Sequence, residues 1–378
     1  MSEYTTVFFS LGSNEGDKLK WLDMAIASIH QQVGTVIRIS NVYKTKSHGF
    51  DGEDFFNLVA VVNTYMSPDE VLRSIMQIES DLGRVRNASV RYAARTIDID
   101  IIFYGNVSMH SEALQIPHPR FHERAFVLKP LLDVLQDYDD IILLKNVESH
   151  WDALSDRVLH KTSHIITAPA TEWGISALNY VAIEGNIGAG KTTLSNRLAA
   201  DCNAKLVLER FADNPFLPKF YEDQSRYAFP LEMSFLADRY QQLTDDLSQF
   251  DLFKDFVVAD YHIFKSLIFA KVTLTQDEYR LYRTMFDIIY KEMPKPDLYV
   301  YLYQSTPKLL ENIRKRGRAY EQQIQPAYLE QINQGYLDFI KTQTQLNVCI
   351  IDVTDKDFVS NHQDYLWIID QMKSQIAK

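Results

Sequence analysis

The sequence predicts two domains of different class in one chain, an α+β domain followed by an α/β domain. Three observations carry this. The chain has 378 residues, more than a single hydrophobic core usually organises. Its first part sets long apolar-rich strand segments beside two amphipathic helical segments, whereas its second part alternates short, almost continuously apolar strands with helices. No internal repeat relates the two parts, so their folds are expected to differ.

In the first part, YTTVFFSL (Tyr4 to Leu11), TVIRISNVYKT (Thr35 to Thr45), FFNLVAVVNTYM (Phe55 to Met66) and TIDIDIIFYG (Thr96 to Gly105) read as strands. Helices are expected over 17–32 and 68–82, which together give helices against an antiparallel sheet. From about Asn146 to Ala177 the periodicity weakens and turn-type residues gather, so this stretch is the candidate linker, with a short helix in it. The expected boundaries are 1–160 for the first domain, 161–177 for the linker and 178–378 for the second domain. After the linker, YVAIE, AKLVLE (Ala204 to Glu209), DFVVAD (Asp255 to Asp260), DLYVYLY (Asp297 to Tyr303) and NVCIIDV (Asn347 to Val353) read as strands of a parallel sheet covered on both faces.

A formal charge of −11 argues against broad nucleic-acid binding, which needs a basic footprint, so anionic substrates require local basic pockets. The two cysteines, Cys202 and Cys349, lack metal-ligand spacing, and the N-terminus lacks a charged-then-apolar targeting pattern; a reducing, cytoplasmic setting is expected. No apolar run approaches the roughly 18 residues of a membrane span.

GNIGAGKT (Gly185 to Thr192) fits G-x-x-x-x-G-K-[ST] and sits between a strand-like NYVAIE and a helix-like TTLSNRLAADC. In such a loop Gly185, Gly188 and Gly190 let backbone N–H groups cradle phosphates. Lys191 reaches the β/γ oxygens, Thr192 offers its hydroxyl to Mg²⁺, and Thr193 continues into a helix whose N-terminus faces the anion. Phosphoryl transfer also needs a base for the acceptor and charge over the phosphates. Glu209 ends the strand after this helix, at the sheet edge where ligands bind in such folds, although a surface carboxylate would read the same. Arg316 and Arg318 in RKRGR offer guanidinium forks for phosphate oxygens; alone, the run reads equally as a solvated helix face.

From about Asn179 to the C-terminus the chain resembles the deoxynucleoside kinases, through GNIGAGKT, LERF, YEDQSRYAFPLE, VVADYHIF and RGRAYE in that order. The resemblance implies Glu209 as general base for a 5′-hydroxyl, Tyr221 at the sugar 3′-hydroxyl, Glu232 at the base edge and Asp260 as the acidic residue of the next motif. It further implies Arg316 and Arg318 as lid residues, Glu321 as partner to Tyr221, ATP and Mg²⁺ as requirements, and a homodimer formed through the kinase helices. Two positions depart from the pattern. Glu232 stands where animal members usually have glutamine. An ionised carboxylate offers acceptors only, which suits the adjacent N1–H and 2-amino donors of guanine and opposes the ring lone pair of adenine. Deoxyguanosine is therefore favoured and deoxyadenosine comes next. Tyr261 replaces an arginine that follows the acidic residue in many members, and Arg210 is a candidate to supply the missing charge.

In TIDIDII, Asp98 and Asp100 share one strand face while Ile97, Ile99 and Ile101 share the other. Two adjacent carboxylates are costly unless cations lie between them, and Mg²⁺ ions carrying nucleotide phosphates would meet that need; ordinary inward/outward alternation gives the same spacing. Arg84, Arg86, Arg91, Arg95, His118, Arg120 and Arg124 cluster around the pair in sequence. With LGSN, DFFN, IESDLGRVR, RTIDIDI and IPHPRFHER in order, residues 4–160 resemble 6-hydroxymethyl-7,8-dihydropterin pyrophosphokinase. The resemblance implies a ferredoxin-like α+β fold and two Mg²⁺ ions on Asp98 and Asp100. It places ATP phosphates on Arg84, Arg95, His118 and Arg124, the pterin on Asn57 and between Phe55 and Phe126, and the metal-linked nucleotide region on Glu79. Arg86 would act on loop closure. The expected protein is bifunctional, one half leaving AMP and the other ADP; the open alternatives are a different small-molecule kinase, or a non-catalytic nucleotide-binding regulator, in the second half.

Overall fold

The computed structural model describes residues 4–47, 52–84, 94–136, 140–210, 214–249, 251–291 and 293–378, without the side chains of Ser248 and Tyr320. The chain divides into two compact units, Met1–Glu172 and Trp173–Lys378.

The first unit runs β1 (Thr5–Ser13), α1 (Lys18–Gln32), β2 (Thr35–Ile39), β3 (Tyr43–Thr45), β4 (Phe55–Thr64), α2 (Pro68–Asp81), β5 (Asp98–Tyr104), β6 (Met109–His110), β7 (Gln115–Ile116), α3 (Ala125–Leu135), α4 (Ile141–Ala153) and β8 (His160–Lys161). Its main sheet has the order β5-β1-β4-β3-β8, with β2 also on β4, and every pairing is antiparallel. One face, carrying Val7, Phe9, Leu11, Ile97, Ile99 and Ile101, is buried under α1 and α2. The other face, with Phe8, Val59, Val61 and Phe103, is buried under α3 and α4.

The strand expected over Thr35 to Thr45 is two strands. Ser40 turns its hydroxyl to the Val59 N–H, and the Asp133 carboxylate accepts from the Asn41 amide, so side chains replace ladder bonds between them. The irregular stretch expected from Asn146 instead begins inside α4, whose Leu143, Leu144, Val147 and Trp151 pack at helical spacing on the second core. Of residues 161–177, Lys161 pairs in the sheet, Ile166 and Ala168 join the first core, and Trp173 packs edge-on to Tyr365 in the second unit.

The second unit runs β9 (Tyr180–Gly185), α5 (Lys191–Asp201), β10 (Lys205–Val207), α6 (Leu217–Glu222), α7 (Gln224–Ser248), β11 (Val257–Ala259), α8 (Phe264–Thr273), α9 (Gln276–Tyr290), β12 (Leu298–Tyr303), α10 (Thr306–Arg316), α11 (Pro326–Thr342), β13 (Val348–Asp352) and α12 (His362–Ile376). Its sheet is parallel throughout, in the order β10-β11-β9-β12-β13, and the helices cover it. The phosphate-type loop leaves β9, Glu209 lies just beyond β10 and Asp260 just beyond β11, so all three motifs meet at the carboxyl edge of adjacent strands.

Two candidate phosphoryl-transfer sites

In the first unit, register decides which residues meet. Gly12 of β1 lies opposite Asn57 on β4 and opposite Asp98 on β5, and Ser10 lies opposite Asp100. A side chain at Gly12 would come within 2.9 Å of Asn57 Oδ1, so glycine keeps this part of the face open. Asn57 Nδ2 donates to Thr45 Oγ1 at 2.9 Å. Phe55 shares that face with Asn57, with the Arg95 guanidinium 5.5 Å above its ring; Phe126 opens α3 with Arg124 at 5.6 Å.

Asp98 accepts from Arg84 at 2.5 Å and from Arg95 at 3.0 Å, while Asp100 lies 3.3 Å from Arg124 and 3.8 Å from His118 Nε2. Burial and the Asp98 charge push the Asp100 carboxyl up to about 6, against the pull of Arg124 and Arg95. Burial, then Arg124 and Arg120, hold His118 down at about 4, so it is a neutral donor at pH 7. Glu79 is buried; it accepts from the Ile99 N–H at 2.8 Å and pairs with Arg84, closing the edge of β5. Glu79, Arg84, Asp98, Asp100 and His118 line one cleft of about 770 Å³. Arg86 and Arg91 lie outside the described residues.

No group of three or more His, Cys, Asp or Glu side chains able to hold a metal occurs among the described residues. The pair Asp98 and Asp100 still suits Mg²⁺, which uses one or two carboxylates and takes its other oxygens from water and phosphate. A second observation favours a phosphate ligand. The buried Nε of Arg95 has no hydrogen-bond partner among the described residues, and a phosphate oxygen would satisfy it.

In the second unit, Gly188 and Gly190 have φ of +86° and +88°, and a side chain at Gly190 would meet the Phe358 ring at 2.6 Å, so the loop shape requires glycine there. Asn186 fixes the loop by donating to Leu329 O and Asn333 Oδ1, each at 2.8 Å, and Asn312 donates to Gly188 O at 2.9 Å. Lys191 Nζ is folded onto Asn186 O at 2.9 Å; burial, and then the Lys265 charge, lower it to about 8. Thr192 Oγ1 donates to Asp260 Oδ2 at 2.5 Å, which sets a hydroxyl and a carboxylate side by side as oxygens of the kind Mg²⁺ takes, and Thr193 follows on the first turn of α5.

Glu209 is held by two cations. Arg239 on α7 donates to Oε1 from Nε at 2.9 Å and from a terminal nitrogen at 2.7 Å, and Lys265 on α8 donates to Oε2 at 2.5 Å. Burial alone would raise this carboxyl, but Lys265 and Arg239 together hold it far below the ordinary carboxylate range. Glu232 is 2% exposed, accepts from Thr273 Oγ1 at 2.9 Å, and is pushed up to about 7 by burial, against the opposing pull of Arg239. Glu321 gathers Arg316 and Arg318, the latter at 3.3 Å, just past the left-handed Gly317 that ends α10. Glu209, Tyr221, Glu232, Asp260, Lys191, Arg316, Arg318 and Glu321 line one cavity.

Sequence reasoning missed Arg239 and Lys265. Arg239 lies seven residues after Glu232, two turns along the same helix, and Lys265 is a lone cation in the apolar run FKSLIFA. Those were the available signals. Arg210 does not supply the missing charge: it is exposed, is not among the residues lining the cavity, and is tied through its backbone N–H to Gln242. Tyr261 is fully buried in the core, and its hydroxyl has no hydrogen-bond partner among the described residues.

A glycine loop aimed at a helix N-terminus, a carboxylate at the sheet edge and basic residues around both define the second unit as a phosphoryl-transfer domain, and the carboxylate pair among arginines places the first in the same broad class. The chain belongs to the deoxynucleoside kinase family over residues 181–377 and to the 7,8-dihydro-6-hydroxymethylpterin-pyrophosphokinase family over residues 8–136. It is 40% identical to a deoxyguanosine kinase of Bacillus subtilis (strain 168) over 202 residues, 52% of this chain and 98% of that protein. It is 38% identical to a 2-amino-4-hydroxy-6-hydroxymethyldihydropteridine pyrophosphokinase of the same organism over 134 residues, 35% of this chain and 79% of that protein. A solved structure of deoxyadenosine kinase from M. mycoides, with dCMP and dCDP bound, is 25% identical and matches with a TM-score of 0.45, covering 52% of this chain and 99% of that one. Both domains are kinases, and the protein is a fusion of a pyrophosphokinase with a deoxynucleoside kinase. Kinases of these families use ATP and typically Mg²⁺. No helix among the described residues is long and apolar enough to cross a membrane.

Proposed function

We propose that the first half transfers the β,γ-diphosphate of ATP to the hydroxymethyl oxygen of 6-hydroxymethyl-7,8-dihydropterin, leaving AMP, and that the second half phosphorylates the 5′-hydroxyl of deoxyguanosine in preference to deoxyadenosine. The single observation that carries the second reading is the buried Glu232 in the cavity that also holds Glu209 and Lys191. Its carboxylate accepts from both guanine donors and can donate to nothing while ionised. The name of the 40% identical relative, a deoxyguanosine kinase, supports the same choice.

In the kinase half, Glu209 takes the 5′-hydroxyl proton as the oxygen bonds to the γ-phosphorus and the bond to the β,γ-bridging oxygen breaks. Arg239 keeps the carboxylate aimed, Lys191 and the loop N–H groups hold the β/γ oxygens, Arg316 and Arg318 close over the phosphates, and Tyr221 meets the sugar 3′-hydroxyl. In the pterin half, Phe55 and Phe126 hold the ring, Asn57 orients its edge, and Arg84, Arg95, His118 and Arg124 take phosphate oxygens. Asp98 and Asp100 there, and Thr192 with Asp260 in the other half, would hold Mg²⁺, which supplies charge neutralisation at the phosphates. A ferredoxin-like class for the first domain, working boundaries at 1–160 and 178–378, a homodimer formed through kinase helices and a cytoplasmic setting complete the proposal.

The test is Mg·ATP turnover with each of the four deoxynucleosides and, separately, with the pterin, resolving AMP from ADP. Deoxyguanosine-dependent ADP that disappears in Glu209→Gln, with pterin-dependent AMP retained, is the expected result. Absence of deoxynucleoside turnover would sink the kinase half of the proposal, and a deoxyadenosine preference would sink the reading of Glu232.

A further inference from the structure

The position after Asp260 carries no charge into the kinase site, because Tyr261 is fully buried in the core. A cation from another element lines the cavity instead. Lys265, in the first turn of α8, is 8% exposed and lies 2.5 Å from Glu209 Oε2. Lys191 and Lys265 line the same cavity as Glu209, so two ammonium groups share the space around the base. Glu184, Glu209 and Asp260 set their negative charge against Lys191, and a phosphate oxygen arriving beside Lys265 would take up the ammonium that Glu209 now holds.

The two cations on Glu209 differ in freedom. Arg239 is fixed by two bonds to Glu209, by Ser266 Oγ at 2.7 Å and by the Phe235 ring at 4.7 Å. Lys265 holds the carboxylate by one hydrogen bond on a flexible stem, over Phe269 at 5.4 Å. With Arg239 on Oε1 and Lys265 on Oε2, a hydroxyl that reaches Oε2 meets the place held by the singly bonded cation.

We propose that Lys265 is a catalytic cation of the kinase half that moves from Glu209 to an oxygen of the transferring γ-phosphoryl group, supplying the charge that position 261 does not. This rests on the deoxynucleoside kinase reading above. The O5′–phosphorus bond forms, the bond from phosphorus to the β,γ-bridging oxygen breaks with ADP leaving, and the hydroxyl proton goes to Glu209. Lys265 donates hydrogen bonds throughout and keeps its own protons. Transfer of its bond frees Oε2 for the hydroxyl. The other charged groups around Glu209 and Lys265 are Arg239 and Glu232 on α7, Lys191 at the start of α5, Asp260 beyond β11 and the buried Glu184 of β9, and none of them changes partner in this step.

The experiment compares wild type, Lys265→Met, Lys265→Arg and Glu209→Gln in the full chain, with thermal melting and the pterin half's AMP formation as folding controls. Lys265→Met is expected to lose roughly 10²–10³-fold in kcat, with KM for the deoxynucleoside changed less than about threefold and the acidic limb of the kcat/KM profile shifted upward in pH, because Glu209 has lost its nearest cation. Lys265→Arg should recover part of kcat, and it serves as the reporter should the Met variant fail to fold. Folded Lys265 variants with kcat near wild type, or a loss confined to KM with no shift of the acidic limb, overturn the proposal while leaving the kinase reading intact. A wild-type protein that turns over no deoxynucleoside overturns both.

Discussion

Glu232→Gln separates the base-reading account from every other account of this cavity. At 2% exposure no water replaces a lost partner, so each hydrogen-bond change should appear nearly in full. Against guanine, glutamine keeps one acceptor but sets its NH₂ against a donor. It loses one charge-assisted bond of about 1.5–3 kcal/mol and buries a mispaired donor at about 1–3 kcal/mol. The wild-type carboxyl, pushed up to about 7, must first lose its proton at neutral pH, which returns about 0.4 kcal/mol to the glutamine variant. The net expectation is about 3 kcal/mol, roughly a 10²-fold fall in kcat/KM for deoxyguanosine, with a gain for deoxyadenosine. Wild type adds a pH signature. Below pH 7 the protonated carboxyl presents a donor and an acceptor, as glutamine does. The deoxyguanosine to deoxyadenosine ratio of kcat/KM should thus rise with pH and level off above 7, while the glutamine variant stays flat from pH 5.5 to 8.5. Burial raises the folded-state pKa, so ionising Glu232 also costs stability as pH rises from about 4.5 to about 7, and Glu232→Gln should resist urea better at pH 8 than wild type. A glutamine variant that keeps its deoxyguanosine preference within threefold, or a wild-type ratio independent of pH, refutes the reasoning.

The remaining expectations address other parts of the molecule. Asp98→Asn should lower pterin diphosphorylation by more than about 10²-fold and weaken its Mg²⁺ dependence, because Arg84 and Arg95 then lose the anion they share, while deoxynucleoside turnover is untouched; initial rates across a Mg²⁺ titration decide it. Tyr261→Arg should not raise turnover. The side chain is fully buried, so a guanidinium there is expected to cost about 3–5 kcal/mol, read as a fall in the melting temperature of the kinase half. Gly190→Ala should abolish nucleotide binding by the kinase half, since its φ of +88° and the Phe358 ring at 2.6 Å both exclude a methyl group; calorimetric ATP titration of the full chain, with its pyrophosphokinase rate as control, checks this.

Much of this was legible in the sequence because the signals were local. The alternation in TIDIDII put Ile97, Ile99 and Ile101 into the core and left Asp98 and Asp100 together on the other face, a consequence of the two-residue strand period alone. The glycine loop likewise carries its geometry in its own residues. Pairings that join distant segments were not legible. Nothing in a single sequence brings Arg239 and Lys265 to Glu209 from helices 30 and 56 residues away, and Arg210 looked the better candidate because it is adjacent in the chain. Strand breaks were missed where side chains substitute for ladder bonds, as at Ser40 and Asn41. The end of the first domain was blurred because α4 has one fully buried residue, Val147, and a half-buried stripe gives a weak periodic signal.

Helix α7 carries Glu232 and, two turns or about 10 Å further on, Arg239. The first meets the nucleobase in our reading and the second grips the carboxylate that activates the sugar hydroxyl. A helix is stiff over that distance, so the two contacts behave as the ends of one ruler. A nucleobase that fits poorly at one end displaces the grip at the other, and the penalty falls on the speed of a bound complex rather than on its formation. Competing deoxynucleosides should therefore differ chiefly in kcat, and a spread confined to KM would show that the ruler does not transmit.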